Sequence, residues 1–192
     1  MRAVAVLLTT LFLACTLHGK ESPEAILERL PATLAGLERT EIKDYDEPEL
    51  GASANYKKPG LLVTVYLYDL GVEEIGLGVT DVTVRKAFQM AVSDITEAAK
   101  QGYYSDVEEV DQGSASFGKN HRTLRSRFRL TRLKGEDAGK RFVSEIHAWG
   151  GLGHIVKLRV TGRVEEEAEH SKTLEKFVPA LMDALRKMEK QK

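Results

Sequence analysis

Three clusters of residues in this sequence could carry chemistry. In the first, Glu145, His147 and Trp149 face Leu152, His154 and Val156 across Gly150-Gly151. Glycine reaches positive φ without a Cβ clash, so the glycine pair reads as a type I′ hairpin turn. That register sets His147 opposite His154, β-carbons ~4.5–5.5 Å apart, with Glu145 one step along the same face. Two imidazoles and a carboxylate are donors for Zn²⁺ or Cu²⁺. The hairpin has neither a cysteine nor a third histidine to complete a shell, so incidental histidines on a glycine-rich turn is the preferred reading.

The second cluster is Arg125, Arg127 and Arg129, which alternate along one strand and so share a face. Three guanidinium groups in a row suit phosphate, carboxylate or an anionic lipid headgroup. The acidic run Asp106, Glu108, Glu109, Asp111 is expected on the neighbouring strand, and cross-strand pairing of the two runs is the structural alternative. In the third cluster, Tyr66, Tyr68, Tyr103, Tyr104 and Trp149 either line a ligand groove or pack a sheet.

Motifs that would force a reaction are missing from the sequence. Gly113-Ser114-Ala115-Ser116-Phe117-Gly118 does not set a serine between glycines two positions away on each side, as a nucleophile elbow requires. Gly76-Leu77-Gly78 stops short of a dinucleotide turn, and neither a P-loop nor a His-Glu-x-x-His is present. No catalytic residue and no cofactor is therefore assigned. An enzyme would have to gather residues distant in sequence, for example Glu145, His147 and Arg127.

The chain opens with Met1-Arg2 and runs apolar from Ala3 to Cys15, interrupted only by Thr9 and Thr10. A positive start, an apolar stretch of ~7–15 residues and small residues at its end form the pattern of a secretory signal peptide, read over residues 1–19. Phe12-Leu13-Ala14-Cys15 resembles a bacterial lipobox, so the alternative to simple cleavage is a lipoprotein tethered through Cys15. No later window is apolar for the ~18 residues a membrane helix needs. Beyond Cys15 there is no cysteine, which excludes disulfides within the mature body and thiolate metal sites. The 28 basic and 29 acidic residues balance, which gives no electrostatic case for nucleic acid.

The elements that must position these residues follow from periodicity. Ser22-Pro23-Glu24 starts a short helix that ends at Pro31. Strands are expected at Leu37 to Tyr45, Ala52 to Lys57 and Leu61 to Asp69. Val84, Phe88, Ala91, Val92 and Ile95 recur at helical steps within a long helix from Val82 to Gln101, with Thr80 or Asp81 as cap and Gly102 as stop. Tyr104 to Phe117, His121 to Leu133, Gly139 to Trp149 and Leu152 to Thr161 read as an antiparallel meander. A last helix, Glu165 to Lys190, carries the apolar stripe Leu174, Phe177, Val178, Leu181, Leu185 and Met188, with Pro179 inside it. Residues 20–192 thus form one α+β domain, an antiparallel sheet of six to seven strands covered by two long helices.

This order, from the strand Leu61 to Asp69 through the helix Val82 to Gln101, the meander and the closing helix, resembles the PsbP-like family, an α/β sandwich. The segment Leu30 to Arg39 also looks like the opening of secreted bacterial proteins. The resemblance implies an accessory or binding role and carries over no functional residue. The expectation is an exported binding module, periplasmic or secreted, with a protein or a small anionic molecule as its partner.

Overall fold

A computed structural model describes residues 20–47 and 49–191. The leader read over residues 1–19, with Cys15 and its lipidation, lies outside the described residues.

The first helix, α1 (Pro23–Arg29), starts where the sequence places it, with Ser22 Oγ accepting from Ala25 N at 3.3 Å. It stops because Leu30 precedes a proline and takes extended backbone. Arg39 then donates through Nη1 to the carbonyls of Leu27 (2.6 Å) and Leu30 (2.8 Å), satisfying oxygens that the helix end leaves free. Four strands follow, β1 (Thr33–Leu34), β2 (Leu37–Asp44), β3 (Ala52–Lys58) and β4 (Leu61–Tyr68). The long helix α2 (Val82–Lys100) is capped by Asp81, whose Oδ1 accepts from the amides of Thr83 (2.7 Å) and Val84 (3.0 Å). After it come β5 (Tyr104–Phe117), β6 (His121–Arg132), β7 (Arg141–Gly151) and β8 (His154–Arg163), then a 3-10 turn at Val164–Glu166 and α3 (Glu167–Glu189). Pro179 sits within α3 without ending it, because Phe177, Val178, Leu181 and Met182 around it are all buried on the sheet.

All eight strands join one antiparallel sheet in the order β1-β2-β3-β4-β8-β7-β6-β5. The strand beyond the expected seven is the two-residue β1, too short for any period to register. α1 and α3 cover one face, where Ile26, Tyr56, Val63, Leu158 and Phe177 are fully enclosed. α2 covers the other with Val84, Phe88 and Ile95 against Phe128, Ile146 and Ile155. The three helices are thus split between the faces, with the short α1 beside the two long ones.

The hairpin between β7 and β8 departs from the expected register. Gly150 and Gly151 belong to β7, and the turn is Leu152-Gly153, both at positive φ (56° and 77°), as a type I′ turn requires. Positive φ disfavours leucine by ~1–2 kcal/mol, but burying its side chain returns ~1.5–3 kcal/mol, and Leu152 is only 6% exposed. Gly150 is needed elsewhere. It pairs with Gly78 through two backbone hydrogen bonds of 2.7 and 2.9 Å, and a Cβ on it would collide with the carbonyl of Gly76. The loop leading into α2 is thereby tied to β7. At the other end of the helix, Leu133 N donates to Tyr103 O at 3.0 Å.

Candidate functional site

The displaced turn separates the histidines that the sequence brought together. His147 stands opposite Leu158, and His154 stands opposite Gly151 at the hairpin end, four residues further along β7 or ~13 Å. His154 is buried and its Nδ1 lies 3.0 Å from Leu152 O. A site holding both imidazoles does not form in this register.

Glu145, His147 and Arg127 do meet, on the face beneath α3. His147 Nδ1 is 3.0 Å from Thr123 Oγ1, and its Nε2 is 3.2 Å from Glu145 Oε2. The other oxygen of Glu145 accepts from Arg127 Nε at 3.1 Å. Hydroxyl, imidazole and carboxylate follow one another as in an acyl-transfer relay. Thr123 and His147, however, are 0% exposed, so no substrate carbonyl reaches the hydroxyl in this arrangement. A cleft of about 330 Å³ opens beside Arg125, Arg127 and Glu145, and neither Thr123 nor His147 lines it. Burial raises the Glu145 carboxyl, but His147, Arg127 and Arg125 outweigh burial and hold it below its ordinary range.

The arginine row is neutralised around this chain. Arg125 pairs with Asp111, while Arg127 (3.5 Å) and Arg129 (2.9 Å) reach Glu167 in the first turn of α3. Of the acidic run on β5, Asp111 is the one that forms an ion pair with an arginine among the described residues. Glu109 accepts from Ser126 instead. Three guanidinium groups therefore meet three carboxylates, Asp111, Glu145 and Glu167.

On the opposite face the balance differs. α2 packs across β5 to β8. One helix ~10 Å wide cannot also cover the half of the sheet formed by β2, β3 and β4 at ~4.8 Å per strand. Along its uncovered edge two cavities of about 310 and 400 Å³ adjoin, sharing Tyr66, Ala91, Asp94 and Lys157 in their walls. The register explains the set. Tyr66 pairs with Lys157 and Thr64 with Arg159 across β4 and β8, so all four side chains share the α2 face. Tyr68 and Tyr45 line the smaller cavity and Tyr104 the larger. Of the aromatic residues singled out in the sequence, Tyr66, Tyr68 and Tyr104 come together here. Tyr103 is 48% exposed beneath Lys134, and Trp149 is buried on the other face.

Lys157 Nζ lies 4.3 Å from the Tyr66 ring centre and 5.3 Å from that of Tyr68. Among the described residues, neither Lys157 nor Arg159 has a side-chain hydrogen bond or an ion pair. Burial pushes the Lys157 ammonium below its ordinary range, with Arg159 adding to the effect and Asp94 opposing it. Burial likewise lowers the Arg159 guanidinium. The Tyr66 and Tyr68 phenols are raised, mainly by burial. Lys157 and Arg159, two charged residues two apart in a strand covered on both faces, are the signal in the sequence that marks this groove.

Among the described residues, no helix is long and apolar enough to cross a membrane. The chain is similar in structure to the cyanobacterial PsbP protein CyanoP from Synechocystis sp. PCC 6803, with a TM-score of 0.44 and 11% identity over 77% of this chain and 92% of that one. It is also similar to the Saccharomyces cerevisiae Ran-binding protein Mog1p, with a TM-score of 0.30 and 12% identity over 80% and 94%. The PsbP likeness is a weak one of topology. No protein-family model and no curated protein matches the chain.

Proposed function

We propose that this protein is an exported, non-catalytic binding module, periplasmic or secreted, whose ligand lies in the groove between α2 and the open half of the sheet. The observation that carries the reading is the pair of cations, Lys157 and Arg159, set among tyrosines in a concave site with no counter-charge in contact. Half-buried charge is most stable when paired, and an anionic ligand would supply the partner that neither Lys157 nor Arg159 has within the chain. Attachment through a lipid on Cys15 is compatible with the same role. An enzyme built on Glu145, His147 and Arg127 draws less support, since its hydroxyl and imidazole are enclosed.

Native mass spectrometry of the protein purified from its own source tests the reading. The expected result is a non-covalent adduct on the mature chain that disappears in an Ala91→Phe variant, whose ring would fill the wall shared by both cavities. An adduct that a folded Ala91→Phe protein retains would place the ligand elsewhere.

A further inference from the structure

We infer that the groove takes a monocarboxylate with an apolar, flat body, the carboxylate lying between Lys157 and Arg159 and the body reaching toward Leu50, Leu70 and Met90. This rests on the groove being the binding site and adds the chemical class of its occupant.

The wall itself argues for the class. A guanidinium presents a planar fork that matches a carboxylate with two parallel hydrogen bonds, and Arg159 has its donors uncommitted. Lys157, two residues along the strand and in the wall of both cavities, stands where they join. The neighbouring hydroxyl of Thr64 is already engaged, donating to Asn55 Oδ1 at 2.8 Å, whereas the two cations beside it are charged donors left open toward the cavities.

Charge sets the valence. Lys157 and Arg159 share the groove with one carboxylate, Asp94. The site thus carries a single surplus positive charge, which one carboxylate neutralises. A phosphate monoester, largely dianionic at neutral pH, would leave a net negative charge beside Asp94.

The body of the ligand is read from the smaller cavity. Its walls are Tyr66, Tyr68, Ala87 and Leu70, and at its mouth Leu50 and Met90 are 47% and 57% exposed. Large apolar side chains exposed around a cavity bounded by tyrosine rings suit a flat aryl group laid against them. Each cavity exceeds ~300 Å³, the lower end of small-ligand sites.

Protein-observed NMR titration of the protein as purified from its own source with hydrocinnamate, its neutral amide and phenyl phosphate tests the inference. Hydrocinnamate is expected to bind, with the amide and phenyl phosphate at least about tenfold weaker. Arg159→Gln and Lys157→Met, each checked for native circular dichroism, should each weaken hydrocinnamate by about tenfold or more and leave the amide unchanged. If one of the two variants fails to fold, the other carries the comparison alone. Equal binding of amide and acid, abolished by Ala91→Phe, would overturn the carboxylate assignment and leave the groove standing as a site. Tighter binding of phenyl phosphate would overturn the single charge. No binding of any probe would overturn the inference, and the native adduct would then decide whether the groove binds anything at all.

Discussion

The two faces of the sheet handle their half-buried cations in opposite ways. Beneath α3, Arg125, Arg127 and Arg129 meet Asp111, Glu145 and Glu167, and the chain from Thr123 through His147 to Glu145 fills with hydrogen bonds. Beside α2, Lys157 and Arg159 meet rings and space. The first arrangement is complete without a second molecule and works as a structural brace. The second is left without an ion pair, and the difference is why we propose the groove, rather than the place where chemically reactive side chains are densest, as the binding site.

The comparison can be broken most forcefully at the wall of the groove. Phe88 is 2% exposed and holds α2 on the sheet. Phe88→Ala should lower stability by ~3–5 kcal/mol in urea unfolding. A loss well under ~1 kcal/mol would mean that α2 is not seated as described, and the groove would lose its wall.

Next in size is the braced face. Glu145→Gln leaves Arg127 facing a neutral group and His147 without its anion, and should cost ~3 kcal/mol at neutral pH. The sign with pH follows from the direction of the Glu145 shift. Its folded carboxyl titrates below the ordinary 4.5, so its stabilisation is full above that value and is lost as pH falls through the folded one. Acid unfolding curves of the wild type should therefore steepen below pH 4.5, and Glu145→Gln should flatten that limb. Parallel curves for the two proteins would show that the brace does not depend on charge.

The smallest effect has the opposite sign. Lys157→Met removes a desolvated cation that has no anion in contact, and should raise stability by up to about 1 kcal/mol in thermal unfolding without ligand. A loss of similar size would mean that the Tyr66 and Tyr68 rings alone compensate the ammonium, and the contrast between the faces would close.

Much of this architecture was legible in the residues. Val84, Phe88, Ala91 and Ile95, and then Leu174, Phe177, Leu181 and Leu185, gave both long helices, because an α-helix brings apolar residues three and four apart onto a single stripe and a strand does not. The meeting of Glu145 and His147 with Arg127 also follows from strands whose alternation was correctly read. The turn at Leu152-Gly153 was hidden, because the preference of glycine for positive φ is local, whereas the demand for Gly150 comes from the loop around Gly76 and Gly78, some seventy residues earlier. The groove was hidden for a related reason. Tyr66 meets Lys157 only because β4 pairs with β8, a contact between strands nearly ninety residues apart that neither strand's own pattern announces.

The ties at the two ends of α2 have a further consequence. Gly78 is bonded to Gly150 of β7 before the helix and Tyr103 to Leu133, the residue after β6, behind it, so both termini are tied to the same sheet. A helix clamped at one end alone could swing outward to admit guests of different thickness. Clamped at both, it sets the width of the groove before any guest arrives. Little of the chain then has to be ordered on association, and entropy that a mobile wall would lose is already lost on folding. For the proposed ligand, such preorganisation would favour molecules thin enough to lie beside the helix against the sheet, making selection a matter of shape as well as charge.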